Sequence, residues 1–524
     1  MGIPKEAYKA LEDIVGMEYI TEDPAIARAY IGRLGHGKDT GIDLTMNMAP
    51  ACVVLPRTTK EVQAIIKVAN RYNITYVPAS TFWISHCGAK RPNSILIDLK
   101  RMNDLEIDDK NMYAVVGSGV IYSQLQQEAM NRGLYTTVPG GGAQVSVVAN
   151  HITWGLSPLN YRNGVCSRRV MAAEWVLPDG EIVKLGSLSL QDDPFWGEGP
   201  GPDLRGVIRG WVGWFGGLGV VTKMAVKLFP FQPERLEPVG ISPNTTLEFP
   251  TSRMKWFNFR LPSRQSLVEV MYEIGKAEIA AAVTKVPLLW RYIAKARSKE
   301  NFWEMFDTQK AREEQDNMHI CRVLLVGYTS EEQLEYEEKV LMEIMEEYGG
   351  ELGRTRQSDE SWIKNADSAG MWFMTGAYSS TQVTVETLDC AAKGGEALAQ
   401  SKLNYTPPLM DDYGEPGWFQ LTELGHMGYL EFLNYWDPDG PDLDKKDEWI
   451  YITMAKEDIR LGLFNAFNIY ASPMNLSGKA YGPNAHLWFE KVKKAFDPAG
   501  LSNTPVPWDV DEWVEKVNYP KKDW

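Results

Sequence analysis

The sequence predicts an α+β fold of more than one domain, on three observations. Up to about residue 232, short apolar strands alternate with amphipathic helical patterns and tight turns, the mark of an α/β or α+β unit. Beyond about residue 236 the strands are separated by long charged helices instead, which predicts a second domain with an antiparallel sheet. The chain has 524 residues, enough for two or three domains of about 100–200 residues each.

Taken in order, residues 1–45 read as a helical lead-in with a polar exit at Gly35–Gly41. Val53-Val54-Leu55-Pro56 is a short buried strand. Thr58-Thr59-Lys60-Glu61 opens a helix in capping-box fashion, with Val62, Ile65, Ile66 and Val68-Ala69 supplying an apolar face. Strands follow at Ile74–Pro78, Ile95–Leu99 and Tyr113–Val116, and a helix over Tyr122–Arg132 stops at Gly133. Trp175–Leu177 and Ile182–Leu185 form a hairpin across Pro178-Asp179-Gly180. Residues 190–202 are a Pro/Gly-rich loop, Asp203–Phe215 is helical, and Gly216–Thr222 turns it into the strand Lys223–Phe229. In the second half, Trp256–Leu261, Cys321–Gly327 and His426–Asn434 are strands and Gln333–Tyr348 is a helix. A last helix over 484–497 carries Leu487, Phe489, Val492 and Phe496.

Composition narrows the function classes. A formal charge of −15 disfavours binding to nucleic acid or anionic membranes. The cysteines (Cys52, Cys87, Cys166, Cys321, Cys390) are scattered, without a C-x-x-C pair. That argues against a disulfide framework or a cysteine-held cluster and fits a reducing compartment. Neither a signal-peptide core nor a run of about 18 apolar residues is visible, so a cytoplasmic protein with no membrane span is expected.

The stretch from Val138 to Gly180 holds the densest motif. Val138-Pro139-Gly140-Gly141-Gly142 leads through Ser146-Val147-Val148-Ala149-Asn150 to Asn163-Gly164, then to the strand and turn Glu174–Gly180. Small residues let backbone approach a bulky ligand, and successive turn amides form concave anion sites. A phosphate-bearing cofactor is the expected guest; an ordinary loop is the bland alternative.

Four segments carry a family resemblance: Val54-Leu55-Pro56-Arg57-Thr58-Thr59-Lys60-Glu61-Val62, Leu177-Pro178-Asp179-Gly180, Gly216-Gly217-Leu218-Gly219-Val220-Val221-Thr222-Lys223, and Phe496-Asp497-Pro498-Ala499-Gly500-Leu501-Ser502-Asn503. In this order they resemble the vanillyl-alcohol oxidase/p-cresol methylhydroxylase flavoproteins, over about 50–232 and 484–507, with a looser match between. The resemblance implies a two-subdomain FAD-binding domain at 46–235 after the lead-in. It further implies a cap domain at 236–480, with an antiparallel sheet flanked by helices, and a C-terminal return at 481–524. FAD is the implied cofactor. The positions matching the family's contacts are Ala79, Ser80, Thr81, Phe82, Trp83, Ile84, Gly88, Ala89, Pro139, Gly140, Ser146, Val147, Ala149, Asn150, Gly155, Gly217, Gly219 and Val221. The loop at 78–89 departs from the usual glycine-rich form, with bulky Phe82 and Trp83 where backbone should come close.

The same resemblance implies hydride removal from a small substrate, an alcohol, 2-hydroxy acid or substituted phenol, to flavin N5. It leaves the electron acceptor open, and implies a homo-oligomer and no metal site, since the cap's His319 and His426 are not paired. A non-redox transferase of the same fold and a flavin-poor scaffold are the alternatives. His86 falls near a substrate-contacting tyrosine of the phenol oxidases, and a neutral imidazole suits a general base. Tyr161, Arg162 and Arg168 cluster after the central stretch beside Arg169, and Arg162 or Arg168 would hold a substrate carboxylate or anionic reduced flavin. Val165 stands where phenol oxidases carry a carboxylate. His426 and Tyr429 lie in a cap segment facing the flavin in relatives, Tyr470 lies near a phenolate-binding pair, and Trp418 with Phe419 are pocket candidates.

Overall fold

The computed structural model describes the chain except residues 1, 32–47, 83–87, 92, 154, 187–201, 232, 234–235, 237, 242–245, 286, 294, 317–318, 360–374, 386, 416, 462, 466–484 and 504–524. Its first unit grows from α1 (Lys5–Val15), which packs on the capped helix α2 (Thr59–Tyr72). Thr58 Oγ1 accepts the Glu61 amide at 3.2 Å, and Glu61 reaches back to the Arg57 amide at 2.6 Å. These bonds satisfy amides that the helix cannot. Val62, Ile65, Ile66 and Ala69 are then buried on a sheet of β1 (Ile20–Thr21), β2 (Cys52–Val54), β3 (Tyr76–Ala79) and β4 (Ile95–Asp98). The order is β1-β2-β4-β3, parallel except for β1. The lead-in is therefore more than helical: Ile20 and Thr21 pair with Val54 and Val53 and supply the sheet's edge.

A second, wholly antiparallel sheet follows in the order β5-β6-β9-β7-β8. It consists of β5 (Leu105–Asp108), β6 (Tyr113–Gly117), β7 (Val170–Val176), β8 (Ile182–Gly186) and β9 (Val220–Lys227). The Pro-Asp-Gly hairpin lies where the turn chemistry predicts, with Trp175 opposite Val183 and the Gly180 amide on Leu177 O at 2.9 Å. Helices α3 (Tyr122–Met130) and α4 (Val147–Ile152) cover the sheet and close one apolar core around Val116, Leu125, Val147 and Trp175. The helix expected over Asp203–Phe215 is split into Arg205–Ile208 and Trp211–Trp214. The Gly210 amide between them donates to Ile152 O at 2.7 Å instead of continuing the spiral.

The cap is an eight-stranded antiparallel sheet. Its strands are β10 (Met254–Leu261), β11 (Ala282–Lys285), β12 (His319–Val326), β13 (Glu351–Leu352), β14 (Ala377–Val385), β15 (Trp418–Thr422), β16 (Met427–Trp436) and β17 (Phe464–Asn465). They run in the order β13-β10-β12-β11-β15-β16-β14-β17. Alternation sorts the side chains by face. Val283, Cys321, Phe419, Leu421, Leu430 and Phe432 pack under the helices α5 (Arg264–Lys276), α6 (Glu331–Glu347) and α7 (Leu388–Lys402). The opposite face turns to the first domain: Trp256, Ala282, Leu324 and Val326 share a core with Tyr135, Leu159 and Phe231.

The chain then returns. At the end of α8 (Ala485–Phe496), Phe496 stacks on Trp175 at 5.4 Å, worth about 0.5–1.5 kcal/mol beyond area. Charge-assisted bonds of about 1.5–3 kcal/mol each weigh more. Lys493 pairs with Asp497 and donates to Gly217 O at 2.5 Å and Ser502 O at 2.9 Å. Tyr76 donates its amide to Leu501 O at 2.9 Å, so residue 502 bridges alongside β3. Among the described residues, no helix is long and apolar enough to cross a membrane.

Candidate functional site

Where β3 ends, the two sheets leave a cleft whose empty space, mouth included, is about 1360 Å³. One wall is Pro78, Ala79, Ser80, Thr81 and Phe82; the others come from Pro139, the start of α4, Gly155-Leu156, and Leu218-Gly219 with Val221. Among the described residues, the lining contains hydroxyls (Ser80, Thr81, Ser118, Ser146, Thr153) and the amide of Asn150, but no charged side chain. Such walls suit a ligand with a sugar and a diphosphate held by main-chain amides and hydroxyls.

The walls depend on two glycines. Gly219 has φ +86°, and a Cβ there would come within 2.2 Å of Val176 O. Gly155 has φ +55°, and a Cβ would meet Cys166 Sγ at 2.5 Å. Each spot is a place where only glycine lets the wall lie this close to its support. The return segment locks the first of them: Ser502 Oγ accepts the Gly219 amide at 2.8 Å and donates to Gly216 O at 2.6 Å. Asn503 adds a bond to Phe215 O at 2.8 Å.

Phe82 does not plug this space. It takes the left-handed conformation, φ +53°, the geometry a glycine would have supplied. Its ring meets Tyr30 edge-on at 5.7 Å and packs on the cluster of Val53, Val77, Ala79, Ala89 and Leu96.

The cap closes the other end. Trp418 lies flush with the Gly140 loop, where a Cβ on Gly140 would sit 3.6 Å from its ring. It joins Leu156, Tyr429 and Trp290 in one aromatic cluster, with ring centroids 5.8 Å from Tyr429 and 5.6 Å from Trp290. Register puts polar groups on the same sheet face: Thr284 opposite Gln420, Gln420 opposite Tyr429, Trp418 opposite Glu431. Gln420 Nε2 fastens this face to the first domain through Ser157 O at 3.0 Å. Glu431 is 6% exposed, and the Tyr429 hydroxyl donates to it at 3.4 Å. Burial first, and Glu431 second, hold the Tyr429 phenol well above its ordinary pKa. Three buried polar atoms, Thr284 Oγ1, Trp418 Nε1 and Gln420 Oε1, have no hydrogen-bond partner among the described residues. Leaving such atoms unpaired costs about 1–3 kcal/mol each, so this face has unmet capacity for a polar ligand or ordered water.

Comparison with known proteins agrees with this geometry. Residues 50–186 match the FAD binding domain family. The chain carries an FAD-binding domain in a p-cresol methylhydroxylase-type fold. The structure of p-cresol methylhydroxylase with substrate bound aligns with a TM-score of 0.72 at 16% identity, covering 96% of this chain and 97% of that one. 4-Ethylphenol oxidase from Gulosibacter chungangensis gives 0.70 at 19% identity, with 98% and 99% covered. In sequence, the D-lactate dehydrogenase of Archaeoglobus fulgidus is 31% identical over 182 residues, 34% of this chain. The chain spans only 38% of that relative's length.

In this FAD-binding domain the cleft gathers Ala79, Ser80, Thr81, Phe82, Pro139, Ser146, Ala149, Asn150, Gly155, Gly219 and Val221 on its walls. Others support it from behind. Ala89 and Val147 are core residues, Gly88 O accepts from Asn503, Gly217 O accepts from Lys493, and Gly140 backs Trp418. Trp83, Ile84, His86 and Tyr470 lie outside the described residues. Three proposed chemical residues serve the cap junction instead. The Tyr161 hydroxyl lies 3.1 and 2.9 Å from the carbonyls of Ile274 and Ile279. Arg162 donates to Ala280 O at 3.4 Å and covers the Tyr328 ring. Arg168 pairs with Glu423 at 2.7 Å, and the other Glu423 oxygen takes the Val165 amide at 3.1 Å. His426 is exposed at the far end of β15, roughly 13 Å along the strand from Trp418 at about 3.3 Å per residue. Sequence reading missed Ser118, Leu156 and Trp214 in the cleft, and Thr284, Gln420 and Glu431 on the cap. The signal for the last two was period-2 spacing, Trp418-x-Gln420 and Tyr429-x-Glu431.

On α4 itself, His151 is fully buried, stacks on Tyr122, and donates from Nδ1 to Val147 O at 2.8 Å. Burial, and then the charge of Arg169, push its pKa down to about 3. Unfolded, the imidazole titrates near 6.5. Between about pH 3 and 6.5 the unfolded chain therefore binds more protons, and stability falls as pH drops, by up to about 1.4 kcal/mol per unit. His151→Gln is expected to flatten the loss of Tm between about pH 7 and pH 5; a slope equal to the parent's would count against this.

Proposed function

We propose that the chain is an FAD-dependent oxidoreductase that removes a hydride from an activated C–H of a small alcohol, 2-hydroxy acid or substituted phenol. The observation that carries this reading is the aromatic and polar cap face closing the end of the FAD cleft. FAD, when bound, supplies the hydride acceptor. Ala79 to Phe82, Ser146 and Asn150 hold its diphosphate and ribityl side by amides and hydroxyls, and Gly155, Leu156 and Pro139 flank its ring end.

The cap residues do the rest. Trp418 and Tyr429, packed edge to face, form an aromatic wall against which a flat or alkyl substrate lies, and exclude water. The Thr284 hydroxyl and the Trp418 N–H donate to it, and Gln420 Oε1 accepts from it, a pattern that a hydroxyl, both donor and acceptor, answers. Glu431 takes the hydroxyl proton, held in place by Tyr429. His86 is the second proposal for this base, and Tyr470 and His426 are the remaining polar proposals around the cap.

Anaerobic mixing of the yellow protein with a panel of alcohols, hydroxy acids and phenols tests the reading: bleaching by one class supports it, and a protein that never takes up FAD sinks it. A non-redox transferase would instead return the oxidised spectrum within one turnover. The acidic, cysteine-poor composition supports a cytoplasmic location. A homo-oligomer is proposed from the family resemblance, and light scattering of the purified protein tests it.

A further inference from the structure

One buried cation lies just behind the cleft with no carboxylate to balance it among the described residues. Arg169 is 2% exposed. One of its terminal nitrogens donates to Thr137 Oγ1 and lies 2.5 Å from Cys166 Sγ. Its Nε and other terminal nitrogen have no hydrogen-bond partner, and no carboxylate pairs with it among the described residues. Its other neighbours are the Phe229 ring at 5.6 Å and the neutral groups Tyr122, Tyr135 and His151. A charge buried without a partner is expensive, and the fold keeps this one.

Its position gives it a use. Cys166 Sγ donates to Gly155 O at 3.1 Å, and Gly155 is cleft wall. Thr137 stands two residues before Pro139, also cleft wall. The guanidinium is thus one residue layer behind the Gly155-Leu156 and Pro139 walls, at the end nearest the cap aromatics. In so dry a setting a charge is weakly screened.

We propose that Arg169 is a positioning residue of electrostatic kind, which favours the reduced over the oxidised state of FAD held in this cleft. The inference rests on the flavoprotein reading above. A hydride taken from substrate brings two electrons and one proton, so the ring gains one negative charge while the substrate's hydroxyl proton goes to the base. A fixed positive charge behind the wall stabilises that added charge, and the missing carboxylate is what keeps its field whole.

The test is the two-electron midpoint potential of the FAD-loaded protein, titrated against a reference dye. Arg169→Met is expected to weaken binding of reduced relative to oxidised FAD at least tenfold, a potential lower by about 30 mV. Its apoprotein should melt no lower than the parent, because an unpaired charge has been removed. Arg169→Lys keeps the charge and should keep most of the potential. Cys166→Ala and Thr137→Val remove the bonds but not the charge, and should leave it unchanged. An unaltered potential in Arg169→Met overturns the inference. So does an equal fall in Arg169→Met and Arg169→Lys, or a fall in Cys166→Ala or Thr137→Val, which stay readable should the methionine variant not fold. Failure of the parent to bind FAD would strike the flavoprotein reading instead.

Discussion

Glu431→Gln is expected to slow anaerobic reduction of the bound flavin by about 10²–10⁴-fold, the span for losing a positioned general base, with FAD absorbance at parent level. Glutamine has the shape of glutamate and still accepts the Tyr429 hydroxyl, so the cap face should keep its packing. What it cannot do is take a proton. The carboxylate sits opposite Trp418 on the adjoining strand and accepts from Tyr429, both members of the cluster that meets the Gly140 loop. Tyr429→Phe removes the group that orients it and should cost less, about tenfold. Parent-like reduction by Glu431→Gln would move the base elsewhere, and a fall of about 10² in His86→Ala would then place it on the pyrophosphate loop.

The second large effect is on stability. Lys402 and Asp412 form an ion pair with both side chains almost fully buried. Lys402→Met leaves Asp412 as an uncompensated charge in the cap core, and breaking a buried pair this way costs about 3–5 kcal/mol. A calorimetric melt should show the cap transition shifted down, and the double variant Lys402→Met/Asp412→Leu should recover much of the loss. A single variant as stable as the parent would refute this. Lys402–Asp412 and the neighbouring buried pair Lys285–Glu415 pin the segment that delivers Trp418, so Lys402→Met should also loosen the aromatic end of the cleft.

How much of this was legible beforehand differs by residue. The Pro178-Asp179-Gly180 hairpin and the Thr58–Glu61 cap could be read because each is local chemistry: the residues that need a geometry are the ones that make it. The walls of the cleft were legible through small residues, eleven of the eighteen positions matched by the resemblance lying on the cleft itself. Phe82 ran against its own propensity, because tertiary packing on Tyr30 and Val77 offsets the strain of a left-handed phenylalanine. Arg162 and Arg168 were read as anion holders, whereas a domain junction also needs donors for loop carbonyls and a cap carboxylate. No local pattern distinguishes the two uses. Gln420 and Glu431 were hidden for a different reason: alternation along β15 and β16 says which residues share a face, not which domain that face meets.

The way Ser502 and Asn503 reach across Gly216, Gly219 and Phe215 bears on biosynthesis. The nucleotide half of the protein is emitted from the ribosome early, yet its rear support is translated some three hundred residues later. A nascent chain halted at the junction with the cap should therefore be loose, protease-sensitive and colourless, and loading with flavin should wait for the last helix to dock. Excising the first half as a stand-alone flavin domain would meet the same obstacle, and supplying residues 485–503 in trans is the natural remedy.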